Sequence, residues 1–253
     1  MNKNVFFDKD KATLTCMVQE DNPNRIKELM NKAVLQGAEA FGIQFEQMNP
    51  DYRNAEIYKE LFSCAKDKPT YVTNYRHTKN EGKDDDQLAA ELLELADCGA
   101  DLCDVMGDYF DRQSGEMTYN ETAVQKQKDL IVQIHQKGAK ALMSTHIFKF
   151  TPADEVLKIA LSHQNRGADI SKIVVGAENM EQQLENLRII NLLREKLDIP
   201  FLFLSGGECK IIRRIGGQLG CCMYLCVYEY DKFSTPQQPL LKDIKLIREL
   251  FSK

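Results

Sequence analysis

Ile170-Ser171-Lys172-Ile173-Val174-Val175 reads as a strand covered on both faces, because apolar and β-branched residues occupy both of its alternating sets of positions. Helix-like stretches flank it, Pro152 to Arg166 before and Met180 to Lys196 after. A strand set between helices implies a parallel crossover. Working outward from this unit, the same alternation recurs along the chain. The strand candidates are Thr13 to Gln19, Ala40 to Phe45, Tyr71 to Tyr75, Asp101 to Met106, Ala139 to Ser144, Ile170 to Val175, Pro200 to Leu204 and Cys221 to Val227. Their helical partners are Pro23 to Leu35, Ala55 to Cys64, Asp85 to Asp97, Ala123 to Gln136, Pro152 to Arg166, Met180 to Lys196, Cys209 to Gln218 and Leu240 to Phe251. Eight units fit a closed (β/α)8 TIM barrel better than an open doubly wound sheet. The 253 residues also match the about 250 that such a barrel needs, so one α/β domain over residues 1–253 is expected.

Junction residues support this reading. Gly37, Gly99, Gly138 and Gly167 each follow a helical pattern and precede a strand, where a glycine can take positive φ at little cost. Thr151-Pro152-Ala153-Asp154 resembles an N-cap followed by proline at the first helical position. The polar stretches His77 to Asp86 and Asp231 to Pro239 are the longest candidate active-site loops.

Composition excludes several function classes. Thirty-eight acidic against 33 basic residues, a net charge of −5, argue against a broad nucleic-acid surface. Met1 to Asp10 contain no apolar run of the signal-peptide kind, and no later stretch nears the roughly 20 apolar residues of a membrane span. A soluble, cytoplasmic protein with no membrane partner is expected. The eight cysteines include no Cys-x-x-Cys pair, and several lie in apolar runs such as Cys221 to Cys226. They read as buried reduced thiols, so neither a metal site nor a disulfide scaffold is expected. No P-loop, dinucleotide fingerprint or His-Glu-x-x-His is present, and no cofactor is expected.

In a (β/α)8 barrel, chemistry belongs to the carboxyl ends of the strands. Lys172 is a lone cation in an apolar strand; desolvation there favours the free amine, which can attack a ketone and form a Schiff base. The plainer reading is a stem that snorkels past the strand end, or an ion pair with a carboxylate such as Glu178. His146, just beyond Met143-Ser144-Thr145, stands where an imidazole could move protons for such a lysine. His77, His135 and His163 read as loop or helix-surface residues. Gly206-Gly207 could let the backbone approach a ligand, and Arg213 or Arg214 could grip a carboxylate or phosphate.

Taken in order, Ser144-Thr145-His146, Phe150-Thr151-Pro152 and Gly167 to Val175 around Lys172 resemble the core of type I 3-dehydroquinate dehydratases. Gly206-Gly207 with Arg213 resembles that family's glycine pair and substrate-binding arginine. Ser234-Thr235-Pro236-Gln237-Gln238 resembles its Ser-x-Pro-Gly-Gln lid, and Thr73 to Gly82, with Arg76, its strand-three arginine motif. The similarity runs from about Thr13 to Leu250. It implies a barrel in which Lys172 forms an imine with the C3 ketone of 3-dehydroquinate, so that the C2 proton is acidified and water is eliminated to give 3-dehydroshikimate. His146 would be the general acid/base, and Arg213, Ser234, Gln238 and Arg76 would hold the substrate. A small-molecule substrate and a possible homodimer are also implied.

The chain departs from that pattern in three places. The family's strand two ends Glu-x-Arg-x-Asp, where this chain has Gly42-Ile43-Gln44-Phe45-Glu46. Its strand four ends Asp-x-Glu, the glutamate bonding the catalytic histidine, where this chain has Asp104-Val105-Met106. Asp108 or Glu46 could supply a carboxylate from a neighbouring position, and the sequence leaves open whether either does. The third departure is Gln237 in place of the lid glycine. These changes keep two alternatives open: a related Schiff-base lyase or aldolase acting on another polyol ketone, and a ligand-binding homologue without catalysis.

Overall fold

The computed structural model describes residues 5–8 and 11–251. Eight parallel strands form one sheet: β1 (Thr13–Val18), β2 (Ala40–Gln44), β3 (Thr70–Thr73), β4 (Leu102–Met106), β5 (Lys140–His146), β6 (Ile170–Ala177), β7 (Phe201–Gly207) and β8 (Met223–Val227). β1 to β7 lie side by side in sequence order, and β8 pairs with β1. The sheet therefore curls into a nearly closed (β/α)8 barrel. Among the described residues, the backbone bond recorded across the remaining β7–β8 seam runs from Cys222 N–H to the Phe201 carbonyl (2.9 Å).

The helices α1 (Pro23–Gln36), α2 (Ala55–Cys64), α3 (Asp85–Asp97), α4 (Glu121–Gln136), α5 (Ala153–Asn165), α6 (Met180–Lys196), α7 (Ile212–Ile215) and α8 (Leu241–Phe251) follow their strands. Local chemistry sets their ends. Asn22 caps α1 ahead of Pro23, and Asp84 with Gln87 closes a reciprocal capping box on α3. Gly37, Gly99, Gly138 and Gly167 all adopt positive φ, as their positions demanded. No helix among the described residues is long and apolar enough to cross a membrane.

Alternation along the strands divides the core. Ile43, Val72 and Val105 face outward against Ile26, Leu61 and Leu92 of the helices. Ala40, Tyr71, Leu102, Leu142, Ile170 and Leu202 belong to a second apolar cluster, in which Tyr71 is the register partner of Leu102 and Leu142 that of Ile170. The eight cysteines are free thiols, all but Cys64 buried.

Four details differ from the sequence reading. Strands β5, β6 and β7 extend to His146, Ala177 and Gly207, because β6 and β7 go on pairing through Gly176–Gly206 and Ala177–Gly207. The helix expected over Cys209 to Gln218 is one α-turn followed by a 3-10 turn over Gly216–Leu219. Two glycines there weaken a helix by about 1 kcal/mol each, and Gly217 lies against the Tyr224 ring where a Cβ would collide. Pro152 itself, not Thr151, precedes α5, since the Thr151 hydroxyl bonds the Lys149 carbonyl. His163, expected on a helix surface, is fully buried between Thr145 Oγ1 and Ser171 Oγ, each 3.0 Å away. Burial pushes its imidazole down to about 3, so it is neutral.

Candidate functional site

The residues just before and after each inward position explain the site. In β6, Ser171 faces out towards His163 and Lys172 therefore faces into the barrel, beside Ser144 of β5 in register. Lys172 is only 4% exposed. Its Nζ does not snorkel or reach Glu178, which lies exposed; it donates to Tyr71 Oη (2.9 Å), Tyr75 Oη (2.7 Å) and Asp104 Oδ2 (3.1 Å). Asp104 in turn accepts from both phenols and from Ser144 Oγ. Burial opposes its charge, but the Lys172 cation and these hydroxyls hold it below the usual carboxylate range. The lone lysine of the sequence is thus a paired lysine in the fold.

His146 ends β5, with its side chain 13% exposed. Its Nδ1 lies 2.7 Å from Glu116 Oε2, and its backbone N–H donates to the same oxygen (3.2 Å). Glu116 sits in the β4–α4 loop, neither on strand four nor at either position that the sequence left open. Burial works against its charge, yet the bond and charge of His146 hold its carboxyl below the ordinary range. A carboxylate on Nδ1 leaves Nε2 as the nitrogen free for proton transfer. The ring packs against Phe148 (5.7 Å, stacked) and the edge of Tyr75 (5.3 Å).

Asp108 and Glu46 do other work. Asp108 accepts from Arg76 Nη1 (2.6 Å) and Gln113 N–H (2.9 Å). Glu46 is fully buried and accepts from Thr73 Oγ1 (2.8 Å) and Tyr75 N–H (3.4 Å); burial pushes its carboxyl up to about 7. Arg76, expected on substrate, is forked onto Asp85 (2.6 and 2.8 Å) and tied to both the side chain and carbonyl of Asp108. Four of its donor bonds are spent joining the β3 and β4 loops.

Arg213 behaves oppositely. It is 7% exposed, and its Nε donates to the Ser205 carbonyl (2.9 Å). Among the described residues no carboxylate pairs with it, and burial alone pushes it down to about 10. A buried guanidinium without an anion is prepared for an anionic ligand.

The segment after β8 folds over the mouth. Thr235 is latched to Gln19 beyond β1 by two bonds, N–H to Oε1 (2.8 Å) and Nε2 to Oγ1 (3.0 Å). Gln237 lies on Gly206, where any side chain would collide with it. Ser234 Oγ is engaged in a turn with Asp231, accepting its N–H (2.9 Å) and donating to its carbonyl (3.1 Å). Gln238 is buried, and its Oε1 has no hydrogen-bond partner among the described residues. A cavity of about 730 Å³ opens at the other end of the barrel, around Ala12, Pro200 and Cys222. Those are residues at the amino ends of strands, so that cavity is not near the chemistry.

Comparison with known proteins bears on the family and the fold. A family model described as type I 3-dehydroquinase matches residues 15–252. The chain is 29% identical over 184 residues to a 3-dehydroquinate dehydratase of Lactiplantibacillus plantarum, 69% of each protein. It is 29% identical over 215 residues to that of Listeria innocua, 83% of this chain and 79% of the relative. Among solved structures, the type I 3-dehydroquinate dehydratase of Clostridium difficile, with covalently modified comenic acid, superposes with a TM-score of 0.80 at 19% identity. That match covers 97% of this chain and 94% of the other.

Proposed function

This chain belongs to the type I 3-dehydroquinases, and from that premise we propose that Lys172 and His146 carry the dehydration of 3-dehydroquinate to 3-dehydroshikimate. The activity is that of a hydro-lyase. In its neutral form the Lys172 amine attacks the C3 ketone. A C–N bond forms, and the carbonyl oxygen leaves as water after taking up two protons, giving an iminium. His146 Nε2 then takes the C2 proton, and the C–H electron pair moves towards nitrogen. Its return expels the C1 hydroxyl, which leaves as water with the proton His146 carries. Hydrolysis of the product imine restores the amine. Glu116 orients the imidazole and balances its charge when it holds the proton, while Arg213, with Gln238 and Ser234 of the lid, receives the substrate carboxylate and hydroxyls.

The observation that carries this reading is a buried lysine inside the barrel with a carboxylate-oriented histidine on the adjacent strand. Peptide mass spectrometry after mixing with 3-dehydroquinate and borohydride tests it. A reduced adduct on Lys172, absent from folded Lys172→Ala, is expected; a folded wild-type chain without adduct, or with adduct elsewhere, overturns it.

One observation favours a related Schiff-base enzyme on another ketone. Gly42 supplies no polar group, the thioether of Met17 stands over it, and Arg76 is committed to Asp85 and Asp108. Fewer groups therefore remain for ring hydroxyls. Trapping with ketones lacking those hydroxyls, run beside 3-dehydroquinate, separates the two. A homodimer also stays part of the proposal, and sedimentation reads it directly.

A further inference from the structure

We propose that Tyr71 and Tyr75 are positioning residues that fix the Lys172 amine for attack, through a tripod anchored on Asp104. The inference rests on Lys172 as the imine-forming lysine. A protonated lysine has three N–H donors, and here it meets three acceptors: Tyr71 Oη, Tyr75 Oη and Asp104 Oδ2. The phenols can accept because their own protons are given to Asp104. Both are buried, Tyr71 fully, and desolvation with the Asp104 charge pushes them well above the ordinary phenol value, so they stay protonated donors. The carboxylate therefore holds two hydroxyls in place, and the hydroxyls hold the amine.

Neighbouring residues make room for this. Gly42 is the register partner of Tyr71, and a Cβ at Gly42 would come within 3.1 Å of the Tyr71 ring. A larger side chain on β2 would contest the space through which Tyr71 reaches across the barrel. Tyr75 lies just past the end of β3, where it touches both the amine and the His146 ring. A free lysine side chain samples many rotamers; an ammonium held at three points keeps its nitrogen in one place, and once one proton passes to solvent the amine retains two of those bonds and has the lone pair that attacks. Once the iminium forms, nitrogen keeps a single N–H, so two of the three bonds are given up. Asp104 remains hydrogen-bonded by Tyr71, Tyr75 and Ser144, and its charge stays opposite the new cation.

Tyr71→Phe, Tyr75→Phe and the double variant test this, with three readouts. The borohydride trapping rate and kcat should fall about tenfold in each single variant and further in the double, from loss of a hydrogen bond to a charged group. Affinity for the alcohol analogue, with a hydroxyl in place of the C3 ketone, should stay within about twofold by calorimetry, since that ligand is held by Arg213 and the lid. A nitrogen-15 spectrum of lysine side chains should show one slowly exchanging ammonium in free wild-type protein, assigned by its loss in Lys172→Met and weakened in the phenylalanine variants. Variants that melt earlier but trap at the wild-type rate, or that lose analogue affinity in step with kcat, overturn the proposal. So does a wild-type spectrum without the ammonium signal. An intact ammonium signal with no adduct from 3-dehydroquinate would count against the substrate reading and in favour of the tripod as a feature of the free protein.

Discussion

Two arginines at the barrel mouth show how neighbours decide what a residue does. Arg76 has its donors spent on Asp85 and Asp108, whereas Arg213 is buried with a backbone carbonyl and, among the described residues, no carboxylate. Arg213→Ala should therefore lower kcat/KM by about ten- to a hundredfold, mostly through KM, because a charge-assisted bond to a carboxylate is worth about 1.5 to 3 kcal/mol. The adduct rate at saturating substrate, read by the same borohydride trapping, should change much less. Sequence could mark both arginines as cations near a strand end but could not see their partners. Lys172 and His146 were legible because a cation in an apolar strand and an imidazole at a strand end are out of place on local grounds. Glu116 was not, since it stands ten residues past β4 in a loop. What brings it to His146 is the loop's own closure, including Thr145 Oγ1 donating to the Glu116 carbonyl (3.1 Å).

At the scale of elements, the helices over 55–64, 85–97 and 180–196 follow their periodicity because amphipathic spacing and caps are local signals. Strand ends and α7 follow tertiary facts instead: β7 is prolonged by pairing with β6, and the α7 segment is cut short at Gly216 and Gly217, the second of which is pressed on Tyr224. The lid is likewise a long-range element, held by Gln19 from the opposite end of the chain. Gln19→Leu removes both bonds to Thr235 while keeping similar volume. Trypsin cleavage after the exposed Lys232 should speed up several-fold in that variant, and a bound carboxylate ligand should slow it again. Unchanged cleavage would mean that Gln237 and Gln238 hold the lid without the latch.

For the whole molecule, His163 joins the outer faces of β5 and β6 directly behind His146 and Lys172. It is neutral when folded, with its imidazole at about 3, while the unfolded chain takes up a proton near pH 6.5. Between those values the unfolded state binds more protons, so stability from this residue falls as pH falls, by about 1.4 kcal/mol per unit. Glu46 runs the other way: its carboxyl, raised to about 7, stabilises the fold below the ordinary carboxylate range and loses that contribution as pH rises through 7. The two offset each other in the wild-type profile, and a comparison with His163→Gln isolates the histidine. Urea unfolding at pH 7.5 and 5 should show the wild-type advantage over the variant shrinking by roughly 2 kcal/mol at the lower pH.

The β7–β8 seam is the one place where neighbouring strands of the barrel lack a ladder of backbone bonds among the described residues. Arg213 hangs from the β7 side of that seam, and the lid with Gln238 from the β8 side. A carboxylate gripped by both would span the gap from above, as a clasp spans an open ring. Reactant and product would then each complete the hoop while resident, and the empty protein would be the most easily sprung form in the cycle.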